Sequence, residues 1–171
     1  SEDLDLHLEL SRSELQAGVP QGDFFQLLVE IVRFYEPATG LEIRTRNQAP
    51  KGSGLGASSS LLIALSGALN QYNRTYMDGE SLIRYGADLE ARSLGIPTGK
   101  QDYYAALYGG LSAIHFGIEG GEHQNLDLDG SFIEKLNQSL LVSFTGQSHF
   151  SGTNNWGMLK AYVENQGQTR E

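Results

Sequence analysis

The sequence contains no cysteine. Disulfides, thiolate metal centres and cysteine nucleophiles are therefore excluded, and a reducing compartment fits without being required. Basic residues are scarce: 12 Lys and Arg face 21 Asp and Glu, for a formal net charge of −9. Such a surface repels nucleic acid, and no basic stripe with interleaved aromatics offsets it. No apolar run approaches membrane-spanning length, and the N-terminus lacks the charged-then-apolar pattern of a signal peptide. These features predict a cytoplasmic protein with no nucleic-acid or membrane partner. Internal repeats and low-complexity tracts are also lacking. What remains is a chain of 171 residues, long enough for one domain with a core, and rich in glycine at 21. An acidic chain still binds a polyphosphate if backbone N–H groups, a helix N-terminus and a metal ion carry the charge.

Leu4, Leu6, Leu8 and Leu10 alternate with polar residues, the period of a half-buried strand. Phe24, Leu27, Leu28, Ile31, Phe34 and Tyr35 recur at helical spacing after Asp23, and Pro37 ends that helix. Leu41, Ile43 and Thr45 predict a second strand. A glycine-rich loop, 48–60, then runs into an apolar helix over 61–69. Asp78 and Glu80 open a further helix that Gly95 and Pro97 close. Strands are expected over 111–116 and, centrally placed, over 140–144, with a turn at 117–122. From Trp156 to Val163 the spacing is helical again, and Trp156, Leu159 and Tyr162 read as a face packed on the core. The elements mix without a strict βαβ rhythm, which argues for an α+β fold.

Two stretches carry chemistry. In Pro50-Lys-Gly-Ser-Gly-Leu-Gly-Ala-Ser-Ser-Ser60, three glycines at alternate positions, Gly52, Gly54 and Gly56, let the backbone turn sharply and approach a ligand. The serines that follow stand where a helix begins, so unpaired N–H groups and the helix dipole favour an anion. The Gly-Lys-Ser/Thr ending of a Walker A loop is absent. A glycine-rich turn followed by a serine N-cap is the competing explanation, and the loop alone does not separate the two. The second stretch runs from Glu90 through Gly-Ile-Pro-Thr-Gly to Lys100, Gln101 and Asp102. Two carboxylates separated by a turn can face one site, one holding a divalent cation and the other accepting a proton from a hydroxyl. Taken on its own, Glu90 reads more simply as part of a solvated helix face, and Asp102 equally as an N-cap. Lys100 is a candidate for neutralising phosphate charge, against the ordinary reading of a solvated loop lysine. No histidine is spaced with another for a metal, and all four, His149 included, read as ordinary.

The string PKGSGLGASSS followed by an apolar helix resembles the second motif of the GHMP kinases. LGIPTGKQDYYAALYGGL resembles that family's catalytic-aspartate segment, in the form found in the sugar-phosphate branch of heptose 7-phosphate and fucose-type kinases. LLVSFTGQSHFSGTNNW resembles a strand and loop that come later in that branch. The resemblance covers 41–156. It implies a ribosomal-protein-S5-domain-2-like α+β fold with a left-handed βαβ unit, and ATP-dependent phosphorylation of a sugar or sugar-phosphate hydroxyl. Pro50, Gly52, Ser53, Gly54, Leu55, Gly56, Ala57, Ser58 and Ser59 would wrap the ATP phosphates. Ser58 and Glu90 would hold Mg2+, with Ser59 and Ser60 close enough to leave the serine open by a position. Asp102 would take the acceptor's proton, helped by Lys100.

The sequence departs from the family at several points. Ala57 stands where a serine is usual, and Tyr103 replaces an amide side chain after the aspartate. The family's N-terminal substrate motif and C-terminal glycine-rich motif are missing. Residues 1–171 are therefore expected to form a single ATP-binding lobe or fragment of a two-lobed kinase, inactive by itself. An ATP-dependent decarboxylase on the same scaffold, or a ligand-binding remnant, remain alternatives, and a homo-oligomer is compatible with the sequence.

Overall fold

The computed structural model describes residues 7–10, 24–50, 52–117, 120–143, 145–147 and 151–164. Strand β1, His7–Leu10, pairs antiparallel with β2, Leu41–Arg44, and sets Leu8 opposite Ile43. Both side chains are buried, so the alternation turns one face of this pair into the core. Leu4, Leu6 and Asp23 lie outside the described residues.

Between the two strands runs α1, Phe24–Tyr35. Its residues Leu27, Leu28, Ile31, Val32 and Tyr35 form one buried stripe at i, i+1, i+4, i+5 and i+8. The helix stops where Glu36 adopts φ 44° ahead of Pro37. Helix α2, Ala57–Asn73, and helix α3, Gly79–Leu94, pack on α1 and on each other. Leu62, Leu65, Leu69, Leu82, Ile83 and Leu89 complete this core. Each such side chain contributes roughly 1.5–3 kcal/mol over exposure, so the three helices provide most of the fold's hydrophobic stabilisation.

Helix α4, Gln101–Tyr108, closes the core with the fully buried rings of Tyr103 and Tyr104. Gly86 of α3 makes this closure possible. A Cβ there would stand 2.8 Å from Leu62 Cδ2 and 2.9 Å from Tyr103 Cε1, so no larger residue fits between α2, α3 and α4 without displacing them. A hairpin follows, β3 Ser112–Phe116 and β4 Gly121–Asn125, with Ser112 opposite Asn125. Tyr104 anchors this hairpin. Its hydroxyl lies 3.1 Å from the Gly121 carbonyl and donates to Glu80 Oε2 at 2.8 Å. Burial, reinforced by Glu80, pushes the Tyr104 hydroxyl up to about 12.

Helices and strands are segregated as α+β, in two antiparallel pairs. The described residues hold no parallel pair, so the left-handed βαβ unit implied by the resemblance is not among them.

Four sequence expectations need correction. Helix α2 begins at Ala57 rather than 61, so Ser58, Ser59 and Ser60 form its first turn. The turn expected over 117–122 is shorter, because β4 starts at Gly121; its polar run Gly-Glu-His-Gln-Asn has little strand propensity and is held by pairing with β3. Leu140–Ser143 form no strand: Leu140 is extended, but Leu141 is 92% exposed and no neighbour supplies a ladder among the described residues. Trp156, Leu159 and Tyr162 lie on α6, Ser151–Val163, and are exposed rather than packed on the core. An additional helix, α5 Gly130–Ser139, begins at Asp129, whose side chain accepts from the Ser131 N–H at 2.8 Å.

Candidate active site

The glycine-rich loop leaves β2 through a turn in which the Ala49 N–H donates to Asn47 Oδ1 at 2.9 Å. Ser53 N–H then donates to the Pro50 carbonyl at 3.1 Å. Gly52, Gly54 and Gly56 have φ of 69°, 74° and 66°. All three occupy the left-handed region, which costs a residue with a Cβ about 1–2 kcal/mol, so the alternating glycines meet a conformational need. Nothing lies within 4 Å of the place a Cβ would take on Gly54, so the loop is open on that side. Among the described residues the buried Ser53 hydroxyl finds no hydrogen-bond partner. A buried unsatisfied hydroxyl costs about 1–3 kcal/mol.

Gly56 is also the N-cap of α2, and no side chain caps that helix. The competing explanation of the motif, a serine N-cap, is therefore excluded. The unpaired N–H groups of the first turn and the positive end of the helix dipole stand beside the glycine loop, the arrangement that receives a phosphate.

The second motif arrives at the same place. Asp102 lies in the first turn of α4, and the N-cap position belongs to Lys100, which makes no side-chain cap bond. Asp102 is thus not a capping residue. A Cβ on Gly56 would stand 3.0 Å from Asp102 Cβ and 3.4 Å from its Oδ2, so the carboxylate rests against the end of the glycine loop. Partial burial raises its pKa above the ordinary carboxylate value. Lys100 is half-buried and lines, with Thr98, Gln101 and Phe116, a small hollow of about 480 Å³.

Glu90 is 6% exposed, which overturns the solvated helix face. Its Oε2 accepts from the Tyr103 hydroxyl at 2.5 Å. That hydroxyl also lies 3.2 Å from the Gly86 carbonyl. Burial first, then the Glu90 charge, drives the Tyr103 pKa far up, while the hydroxyls of Ser59 and Thr98 act in the opposite direction. Ser59 is buried on this side, Ser58 is half-buried, and Ser60 is exposed, lining a separate groove of about 630 Å³ against β2.

The structure therefore brings Gly52, Gly54, Gly56, the first turn of α2 and Asp102 together. Glu90 and Ser59 join through Tyr103. Pro50, Leu55 and Ala57 lie along the same loop and helix start, with Pro50 and Leu55 exposed. Lys51 and His149 lie outside the described residues. The role of Tyr103 was hidden in the sequence. Its only trace is an aromatic residue directly after the aspartate, facing a glycine and a glutamate four apart on the preceding helix.

The family model for the GHMP kinases N terminal domain matches residues 24–110, a little over half of the chain. The chain belongs to the GHMP kinases. Family relatives include the D-glycero-alpha-D-manno-heptose 7-phosphate kinase of Campylobacter jejuni, 28% identical over 118 residues, covering 68% of this chain and 35% of that protein. The mevalonate kinase of Methanothermobacter thermautotrophicus is 33% identical over 94 residues, 54% of this chain and 30% of its own length. The bifunctional fucokinase/GDP-fucose pyrophosphorylase of Arabidopsis thaliana is 37% identical over 113 residues, 64% of this chain and 11% of that protein. This GHMP kinase chain thus spans about a third or less of the length of these relatives. Its fold is similar to the crystal structure of a D-glycero-D-manno-heptose 1-phosphate kinase from Bacteriodes thetaiotaomicron, with a TM-score of 0.65 at 20% identity over 92% of this chain and 56% of that one.

Proposed function

We propose that residues 1–171 form the ATP-binding lobe of a kinase that phosphorylates a hydroxyl of a sugar or sugar phosphate. One observation carries the reading: the Asp102 carboxylate rests against Gly56, where an uncapped helix N-terminus meets a left-handed glycine loop. A phosphate donor and a proton acceptor are needed within one site for phosphoryl transfer, and here their supports touch.

In this mechanism the backbone from Pro50 to Ser59 receives the ATP phosphates. Asp102 accepts the proton of the acceptor hydroxyl. The freed oxygen forms its bond to the terminal phosphorus as the bond from that phosphorus to the bridging oxygen breaks, and ADP leaves. A base with a pKa raised toward the working pH suits this role better than an ordinary surface carboxylate. Lys100 neutralises charge on the transferred group.

Two carboxylates beside a polyphosphate repel it unless a cation intervenes, so the donor set of Ser58, Ser59 and buried Glu90 fits Mg2+. When bound, Mg2+ would screen the phosphate oxygens and orient them. The sugar and sugar-phosphate kinases among the relatives favour a sugar phosphate or free sugar as acceptor. The test is turnover of the full-length protein with labelled ATP against heptose phosphates, hexoses and mevalonate. Label should appear on a sugar or sugar phosphate. Label on mevalonate alone would refute the acceptor class, and ATP consumption without transfer to any acceptor would refute the kinase reading.

A further inference from the structure

Tyr103 is a fully buried residue that the reaction does not use directly, yet it touches a residue that the reaction does use. Its hydroxyl has one hydrogen and two acceptors within reach, Glu90 Oε2 at 2.5 Å and the Gly86 carbonyl at 3.2 Å. The charged acceptor at the shorter distance takes the hydrogen. Its ring is fixed because Gly86 leaves only the space of a hydrogen atom beside Cε1.

We propose that Tyr103 is a positioning residue that holds Glu90 for the metal ion. The proposal rests on the reading of Glu90 as a cation ligand and deepens it. A buried carboxylate needs a partner. A lysine or arginine would satisfy Glu90 but cancel the charge that a cation requires. A neutral phenol engages one oxygen, restricts the carboxylate's rotation and leaves the negative charge in place. Hydrogen bonds of this kind to ligating carboxylates typically tune metal affinity by about 10–100-fold. Asp102 and Tyr103 are consecutive, so a single turn of α4 brings the proton acceptor to Gly56 and the phenol to Glu90. The departure from the family at position 103 thus has a structural use.

The experiment is a cycle of Tyr103→Phe, Glu90→Gln and the double variant in the full-length protein. Mn2+ affinity is titrated in the presence of a non-hydrolysable ATP analogue, and analogue affinity is measured separately in EDTA. Tyr103→Phe should weaken Mn2+ binding about tenfold. The same change should have no effect on Mn2+ once Glu90 is Gln, and analogue affinity in EDTA should stay unchanged. If Glu90→Gln weakens Mn2+ while Tyr103→Phe does not, positioning by Tyr103 is refuted and the metal role of Glu90 stands. If Glu90→Gln leaves Mn2+ affinity intact, both are refuted. Equal losses from Tyr103→Phe in either background, or loss of EDTA-phase affinity, would show a structural role only. Should Tyr103→Phe fail to fold, 3-fluorotyrosine at 103 provides a 19F signal. That signal should move when Mn2+-free protein takes up Mg2+ with the analogue, and a signal unmoved at saturation would overturn the proposal.

Discussion

Helices α2 and α3 follow one another in the chain and begin in opposite ways. Helix α3 is closed by its own sequence: Asp78 accepts from the Ser81 N–H at 2.9 Å and from the Ser81 hydroxyl at 2.7 Å. Helix α2 starts at Gly56 in a left-handed conformation with no side-chain cap, although three serines stand in its first turn. Gly56 has no side chain to cap with, and a Cβ there would be strained at φ 66° and crowded by Asp102, so α2 forgoes the stability that an aspartate or serine N-cap supplies. Leaving α2 open while capping α3 separates two uses of the same electrostatic feature. The α3 terminus is closed by its own cap, and in the proposed function the α2 terminus receives an outside anion.

The largest test of this contrast is Asp102→Asn. Losing the proton acceptor should lower kcat on the order of a hundredfold or more while sparing nucleotide affinity. Stability should move the other way. Partial burial holds the Asp102 carboxyl above its ordinary value in the folded chain. A raised pKa means that its favourable contribution is complete below the unfolded value and is lost as pH rises through the folded one. At neutral pH the ionised group is therefore a burden on the fold, and the Asn variant should melt no lower than the native protein. Near-normal kcat, or clear destabilisation at pH 7, would contradict the assignment.

Next in size is Gly54→Val. The space beside Gly54 is open, so the protein should fold, but φ 74° is strained for a β-branched residue and the loop must rearrange. Losing one or two charge-assisted N–H contacts should weaken ATP binding on the order of a hundredfold. Calorimetry showing native ATP affinity in a folded Gly54→Val protein would remove the cradle. Glu90→Gln is smaller: the magnesium requirement should rise by about tenfold and be met by excess Mg2+. A variant that excess Mg2+ fails to rescue would place Glu90 outside the metal site.

Much of this contrast was readable in the residues. Asp78 three residues before Ser81 announces a cap, and glycines at 52, 54 and 56 announce left-handed backbone, because each signal is local. The burial of Glu90 was not readable, since it depends on Tyr103, brought back by the Gly95–Gly99 turn and admitted by the gap at Gly86. Nor was β4, whose polar residues form a strand only because β3 lies alongside. The apolar run from Leu140 has strand composition, but among the described residues no strand lies alongside it, and Leu140, Leu141 and Val142 are exposed. The α5 signal, Asp129-Gly-Ser, was present and local, and is the same device as at α3.

The smallest expected effect completes the comparison. Asp78→Ala removes the cap of α3, whose first residue, Gly79, packs against Leu107 and Tyr108 at the opposite end of α4 from Asp102, so ATP affinity and kcat should remain at native levels. Thermal stability should fall modestly, by a few degrees at most. The pH dependence identifies the cause. The Ser81 N–H, followed by the Ser81 hydroxyl, holds the Asp78 carboxyl below its ordinary value. A lowered pKa gives a contribution that is present above the unfolded value and lost as pH falls through the folded one. The gap in melting temperature between native and Asp78→Ala protein should therefore be full at neutral pH and close as the carboxyl is protonated at acid pH. A gap that persists in acid would mean that Asp78 acts through packing rather than as a charged cap. A loss of ATP affinity in this variant would mean that the two helix starts are not separate in use, and the distinction between α2 and α3 would fall.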